Sequence, residues 1–265
     1  MIIKKYIILI SIILINISFI SAEPITLEQS DFYIQSGKTI EVGTGASYGY
    51  AKYFYASDPT VEYENKDAVI PVFLRFKPFQ NIEISLKSTY RLLKETEFNI
   101  LKKNTGYVEG SGKLGLFEGC ALKLQAEIPG ANPDDAAVEG LNIGARVLIS
   151  IKSNPLIIHL NGGYTYSFAY TVNSMQVDPG NYIFGGAGVE YEMGGVNPLV
   201  EVTVMSVGKS VAGGVEDVNE PLLLDILAGF SWKIDSIKIK AGFAYSLDTY
   251  NIYNWKIVSG VSILL

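Results

Sequence analysis

Apolar and polar residues alternate with a two-residue period through most of this chain, and that period restricts the fold more than any other feature. In one clear case Ile237, Ile239 and Phe243 share one face of a segment, whereas Lys238 and Lys240 share the other. Such alternation places successive side chains on opposite faces of a β-strand. The same pattern recurs in residues 81–90 and 141–151. The fold class is therefore predicted to be all-β.

Counting these runs predicts about twelve strands. They lie near residues 38–50, 68–78, 81–92, 106–117, 119–129, 140–152, 155–169, 181–192, 198–206, 221–233, 236–247 and 254–265. Strands of roughly 10 residues are longer than the ~5–6 usual in globular sheets and suit a tilted crossing of a bilayer. Short connections alternate with long ones, such as 51–67 and 92–104, of which the second is compatible with a short helix in a loop. Short periplasmic turns and longer extracellular loops are the layout of an outer-membrane barrel.

The cost of burying charge in lipid decides which face of each strand points outward. Lys238 and Lys240 would each cost ~2–4 kcal/mol near the middle of the bilayer if they faced lipid. Two or three strands reversed in this way would outweigh a typical stability of ~5–15 kcal/mol. We therefore predict a closed antiparallel transmembrane β-barrel over residues 37–265, with apolar faces outward. A secreted β-sandwich also alternates, but it would use shorter strands.

The N-terminus predicts export from the cytoplasm. Lys4 and Lys5 precede an isoleucine-rich stretch, which predicts a signal peptide over residues 1–22 and a periplasmic segment over 23–36. The expected location is the bacterial outer membrane, with lipid and lipopolysaccharide around the barrel and the barrel-assembly machinery as a partner for the last strand. The net charge of -6 and the lack of a basic stripe argue against nucleic acid.

Charged residues of both signs are predicted on the inner faces of the strands. They are Glu41, Arg75, Glu83, Lys87, Glu109, Lys113, Lys123, Glu127, Arg146, His159, Glu190, Glu201, Asp225, Lys238 and Lys240. Rings of charge that line a pore would tune its selectivity. An internal network of ion pairs that fills a narrow barrel would use the same residues, since about twelve strands lie between filled and open barrels. Both interpretations remain open, and Val258 and Leu264 are apolar residues on the inner face that neither explains.

Several sequence blocks are similar to one known family. They are residues 122–135, 154–168, 181–204 and 254–265, in that order. Their strand patterns and their Gly, Asn and Pro punctuation resemble the meta-pathway phenol-degradation family of outer-membrane barrels, mainly over residues 105–265. The chain departs from that family at Pro129-Gly130-Ala131, where Pro-Thr-Gly is usual, and at Leu265, where an aromatic residue is usual. The resemblance implies a transporter for small solutes, including hydrophobic or aromatic ones, but carries over no binding residue.

We accordingly expect a channel for passive passage of small solutes that needs no cofactor and is not an enzyme. A closed barrel with a structural or surface-interaction role is the alternative. A barrel enzyme that acts on lipids is a further alternative. Its candidate base is His159, the only histidine of the sequence. A nucleophile and base pair would need a serine near it. The residue two positions on along the same strand face is Asn161, so the sequence does not favour catalysis.

Overall fold

The computed structural model describes residues 40–55, 58–96, 99–129, 140–172, 175–193, 195–209, 211–216, 222–248 and 253–265. The predicted signal peptide (1–22) and periplasmic segment (23–36) lie outside these residues. Within the described ranges no helix is long and apolar enough to cross a membrane.

The described strands number β1 to β16 along the chain. They are β1 (Ile40–Tyr55), β2 (Asp58–Phe79), β3 (Ile82–Thr96), β4 (Asn99–Phe117), β5 (Cys120–Pro129), β6 (Asn142–Ser153), β7 (Leu156–Ser167), β8 (Tyr170–Val172), β9 (Met175–Asp178), β10 (Tyr182–Tyr191), β11 (Val196–Val207), β12 (Val211–Ala212), β13 (Val215–Glu216), β14 (Leu222–Ile234), β15 (Ile237–Asp248) and β16 (Tyr253–Leu264). A closed barrel forms in the order β1-β16-β15-β14-β11-β10-β7-β6-β5-β4-β3-β2. The predicted all-β antiparallel barrel of twelve strands is therefore confirmed.

The last strand closes the barrel against the first. Pairing of β16 with β1 runs from Leu264 opposite Glu41 to Tyr253 opposite Lys52. The backbone N–H of Leu265 also donates to the carbonyl of Ile40 at 2.9 Å. Closure leaves no unpaired strand edge, which hydrocarbon would not tolerate.

Burial alternates along most of the strands for which the structure describes it, as the predicted register requires. On β3 the side chains of Ile84 and Leu86 are 50% and 53% exposed, whereas those of Glu83 and Lys87 are 4% and 6% exposed. In a closed barrel the buried face is the inner one. The outer surface is consequently covered by exposed Val, Leu, Ile and Phe side chains. An apolar band around a closed barrel is the surface that lipid solvates.

Two predicted loops are in fact strand extensions. Residues 51–67 were expected to be an outer loop, but β1 continues to Tyr55 and β2 begins at Asp58. Residues 92–104, expected as a loop with a short helix, form the ends of β3 and β4 on either side of residues 97 and 98. Charged residues occur at both odd and even positions of these segments. A two-residue period is needed only where one strand face meets lipid, so its loss did not mean that the strands had ended.

The four short strands form a separate sheet in the order β13-β12-β9-β8. They come from the long connections after β7 and after β11. Val177 of β9 is 1% exposed and packs with Tyr182, Met205 and Val207 of the barrel wall. The small sheet therefore covers part of the barrel end opposite the short turns.

Candidate functional site: the barrel interior

The structure places every predicted lining residue on the inner face of the barrel. The buried members are Glu41, Glu83, Lys87, Glu109, Lys113, Lys123, Glu127, His159, Glu190 and Glu201, and the half-buried members are Arg75, Arg146, Asp225, Lys238 and Lys240. Their alternation with lipid-facing residues positions them, since each strand turns every second side chain inward. That they line a pore stays a prediction.

Glu41 is the centre of one inner network. Its carboxylate is 1% exposed and lies 3.1 Å from Arg75 Nη1 and 3.6 Å from Lys238 Nζ. Ser262 Oγ donates to the same carboxylate at 2.6 Å. Lys240 lies within electrostatic reach of Glu41 and Arg75. A buried carboxylate is stable only with such partners, because burying an isolated charge is costly.

A second inner network joins β3, β4, β5 and β6. Lys113 Nζ lies 3.3 Å from Glu83 Oε1, and Lys123 Nζ lies 2.9 Å from Glu109 Oε1. Glu127 accepts hydrogen bonds from the side chains of Gln125 at 3.1 Å and Asn142 at 3.4 Å. Long charged side chains thus fill this half of the barrel and join neighbouring strands.

His159 is part of a third network, which includes a serine that the sequence did not reveal. Ser150 of β6 lies directly opposite His159 of β7 in the strand register, and its Oγ is 3.0 Å from His159 Nδ1. On the other side, His159 Nε2 lies 3.6 Å from Glu190 Oε2. Glu190 Oε1 accepts hydrogen bonds from Asn197 Nδ2 at 2.7 Å and Ser231 Oγ at 2.9 Å. Only knowledge of the pairing register places Ser150 beside the histidine.

Apolar residues cover part of the inner wall. Leu199, Leu227, Ala244 and Val258 come from β11, β14, β15 and β16 and form one buried cluster. This contact explains the inner position of Val258, which alternation alone left unexplained. The signal in the sequence was that Val258, like Leu264, is an apolar residue in a mainly polar inner row.

Access to water divides the interior into two sides. On β5, β6, β7, β10 and β11 most inner side chains are buried, including Leu148 at 0% exposure. Half-buried inner residues are concentrated on β14, β15, β1 and β2, whereas most inner side chains of β16, which lies between β15 and β1, are buried. The half-buried residues are Asp225, Gly229, Ser231, Lys238, Lys240, Gly242 and Ser246 on β14 and β15, and Gly45, Ser47, Phe73 and Arg75 on β1 and β2. We call this set the accessible lane.

Solved structures with the same architecture are outer-membrane proteins. An outer membrane channel from Pseudomonas putida F1 matches with a TM-score of 0.72 and 8% identity, over 88% of this chain and 98% of that chain. The translocator domain of the autotransporter NalP from Neisseria meningitidis matches with a TM-score of 0.57 and 12% identity, over 86% of this chain and 89% of that chain. The β domain of the Bordetella autotransporter BrkA gives 0.54 and 11%, over 85% of this chain and 99% of that chain.

At these identities the likeness concerns the fold. No protein-family model matches the chain, and neither does any curated protein sequence. Membership of the family that the sequence resembles therefore stays a prediction. The closed barrel, its apolar outer band and its structural neighbours make the protein a transmembrane barrel of the bacterial outer membrane.

Proposed function

We propose that the protein is a channel for passive passage of small solutes across the outer membrane. The accessible lane is the observation that carries the proposal. Its residues keep contact with water inside a barrel whose opposite inner wall is filled by side chains. Lane residues lie on β14 and β15 on both sides of the buried pair Leu227 and Ala244, from Ser231 and Lys238 near a short turn to Asp225 and Ser246 at the far end. The lane thus supports a narrow route rather than a wide aqueous pore.

The chemistry of the lane suits small molecules with both polar and apolar parts. Gly45 and Ser47 are small, whereas the Arg75 guanidinium lies 4.3 Å from the centre of the Phe73 ring. Arg75, Lys238 and Lys240 are cationic and Asp225 is anionic, so a modest preference for anions is expected, reduced by the pairing of Arg75 and Lys238 with Glu41. The named P. putida neighbour is a channel, which agrees with this proposal. The family resemblance is the reason that the proposal includes hydrophobic or aromatic solutes.

The direct test is solute uptake by liposomes that contain the refolded protein. Faster swelling with small sugars and amino acids than in protein-free liposomes supports a channel. Uptake equal to that of protein-free liposomes, together with silent planar bilayers, contradicts it. Folding of the inserted protein is checked on unheated SDS gels, so that a failure to insert is not mistaken for a closed barrel.

A closed barrel is the second candidate, and the burial of the inner wall favours it. Leu148 and Leu227 are 0% and 1% exposed, and Glu41 is enclosed by Arg75, Lys238 and Ser262. Side chains that fill a barrel stiffen it and block passage. Folded protein with no conductance and no uptake would establish this function instead.

One observation favours a lipid-acting enzyme, and another argues against it. Ser150, His159 and Glu190 stand in the order of a nucleophile, a base and an orienting acid. They lie on the inner face, however, where bilayer lipid does not reach them. Phospholipid hydrolysis that is lost in His159→Ala would support the enzyme, and no hydrolysis with or without calcium would exclude it.

A further inference from the structure

Asn161 is a buried amide that no side chain among the described residues satisfies. It lies on the inner face of β7, it is 7% exposed, and neither its Oδ1 nor its Nδ2 has a hydrogen-bond partner in the part of the chain that the structure describes. Most buried side-chain polar atoms in native proteins have at least one partner. An amide with both atoms orphaned is therefore unusual enough to need an explanation.

The strand register explains why the protein offers Asn161 no partner. Directly across the ladder, Asn161 faces Leu148 of β6 and Gly186 of β10. A leucine side chain cannot form a hydrogen bond, and a glycine has no side chain to offer. The amide therefore projects from the wall between an apolar side chain and bare backbone.

Two polar side chains lie near the amide, one in each direction along β7. His159, two residues before it, has an Nε2 atom that forms no hydrogen bond with the described residues and lies 3.6 Å from Glu190 Oε2. Gly163, two residues after it, is crossed by the stem of Arg146, whose guanidinium lies 5.0 Å from the centre of the Phe184 ring. Gly163 and Gly186, which lie beside Asn161 along its strand and across the ladder, are only half-buried, so the wall next to the amide borders the lumen.

We infer that Asn161 is the recognition point for a solute carrying a neutral carboxamide. The inference rests on the proposed channel function. An asparagine amide presents one acceptor and two donors in one plane. A carboxamide on the ligand offers the complementary donor and acceptor on a single edge, so it satisfies both orphaned atoms together. An ionised carboxylate offers acceptors alone and would leave Oδ1 unpaired. His159 Nε2 provides a second polar contact about 7 Å away along the strand.

The first test uses benzamide and acetophenone, which have the same size and differ in the amide donor. We measure the temperature midpoint at which the purified barrel unfolds on SDS gels, with each ligand present in detergent. Benzamide should raise the midpoint, and acetophenone should not, because a ligand stabilises only the state that binds it. The apparent affinities should differ by about tenfold or more, since a site built for a hydrogen bond discriminates against the analogue that lacks it. Equal effects of the two ligands would overturn the inference.

The second test uses Asn161→Leu, which keeps the size of the side chain and removes the orphaned atoms. This variant should unfold at a higher midpoint, by about 2 °C or more, because a buried unsatisfied amide has been removed. It should also lose the preference for benzamide. Thr203→Val on the inner face of β11 is the matched control, and it should keep the preference. A lower midpoint for Asn161→Leu would mean that Asn161 is a structural residue and would sink the inference.

Failure of the inference and failure of the channel are separable. Current interruptions by benzamide in planar bilayers, absent in Asn161→Leu, would support both. Selective stabilisation by benzamide without any conductance would keep the site and reject the channel. Conductance without discrimination between the two ligands would keep the channel and reject the site.

Discussion

At the scale of single residues, the Glu41 carboxylate has the largest expected energetic effect. It is 1% exposed and compensates the charges of Arg75 and Lys238 at the seam between β1 and β16. Glu41→Ala removes that compensation, and breaking a buried ion pair costs about 3–5 kcal/mol. Urea unfolding followed by tryptophan fluorescence checks the loss. Glu192→Ala at an exposed turn position is the control and should stay within about 0.5 kcal/mol of the parent. A parent-like Glu41→Ala would contradict the assigned role.

Gly43 is required by the close approach of Phe73. A Cβ atom at this position would lie 2.7 Å from Ser262 Cβ and closer still to Phe73 Cζ. Gly43→Ala should therefore destabilise the barrel by about 1–3 kcal/mol, and the double variant Gly43→Ala/Phe73→Leu should recover part of the loss. Gly110→Ala is a suitable control, because no atom of the described residues lies within 4 Å of a Cβ there. Equal unfolding midpoints for the two alanine variants would show that the approach is not tight.

Alternation predicts which way each residue points but not which residue it meets. The inward orientation of Glu83 and Lys113 follows from the period of their own strands. The contacts of His159 with Ser150 and of Val258 with Leu227 depend on the register between strands. Register is fixed by hydrogen bonding across the whole barrel, and a single segment of sequence does not contain it. The orphaned amide of Asn161 was therefore invisible until its neighbours were known.

At the scale of elements, β16 has the most demanding role because it pairs on both sides. Its neighbours are β1 and β15, so its removal would leave two unpaired edges in the barrel wall. Deletion of residues 254–265 should prevent assembly, since open sheet edges are not tolerated in hydrocarbon. The measurement is the heat-dependent mobility of outer-membrane fractions on SDS gels. A folded, heat-modifiable truncated barrel in that fraction would refute the prediction. Recognition of this strand by the assembly machinery stays a prediction.

The strands were predictable where lipid imposes a period and less so beyond it. The short turns near residues 80, 118, 154 and 235 occur where the sequence placed them. The extensions of β1 to β4 were missed because apolar and polar residues no longer alternate there, as they do where one strand face meets lipid. The sheet of β8, β9, β12 and β13 was also missed, since it pairs segments from two separate connections. Such non-local pairing has no local sequence signal.

At the scale of the whole molecule, the same fold is formed by chains with very different sequences. A TM-score of 0.72 with 8% identity shows that the barrel architecture tolerates almost complete replacement of residues. Lipid outside and hydrogen-bond closure between strands constrain the pattern of polarity rather than individual side chains. Function depends on the interior, which differs from chain to chain. The sequence thus predicted the barrel, whereas the solute stays a proposal.

The central claim is that solutes pass along the accessible lane, and single-channel conductance of two tryptophan variants tests it most directly. Ser47 lies in the lane, whereas Ser88 lies on the exposed, lipid-facing side of β3. Ser47→Trp should lower the conductance severalfold, and Ser88→Trp should leave it at the level of the parent. Both proteins must first show a folded band on unheated gels. Unchanged conductance in a folded Ser47→Trp barrel would contradict the account.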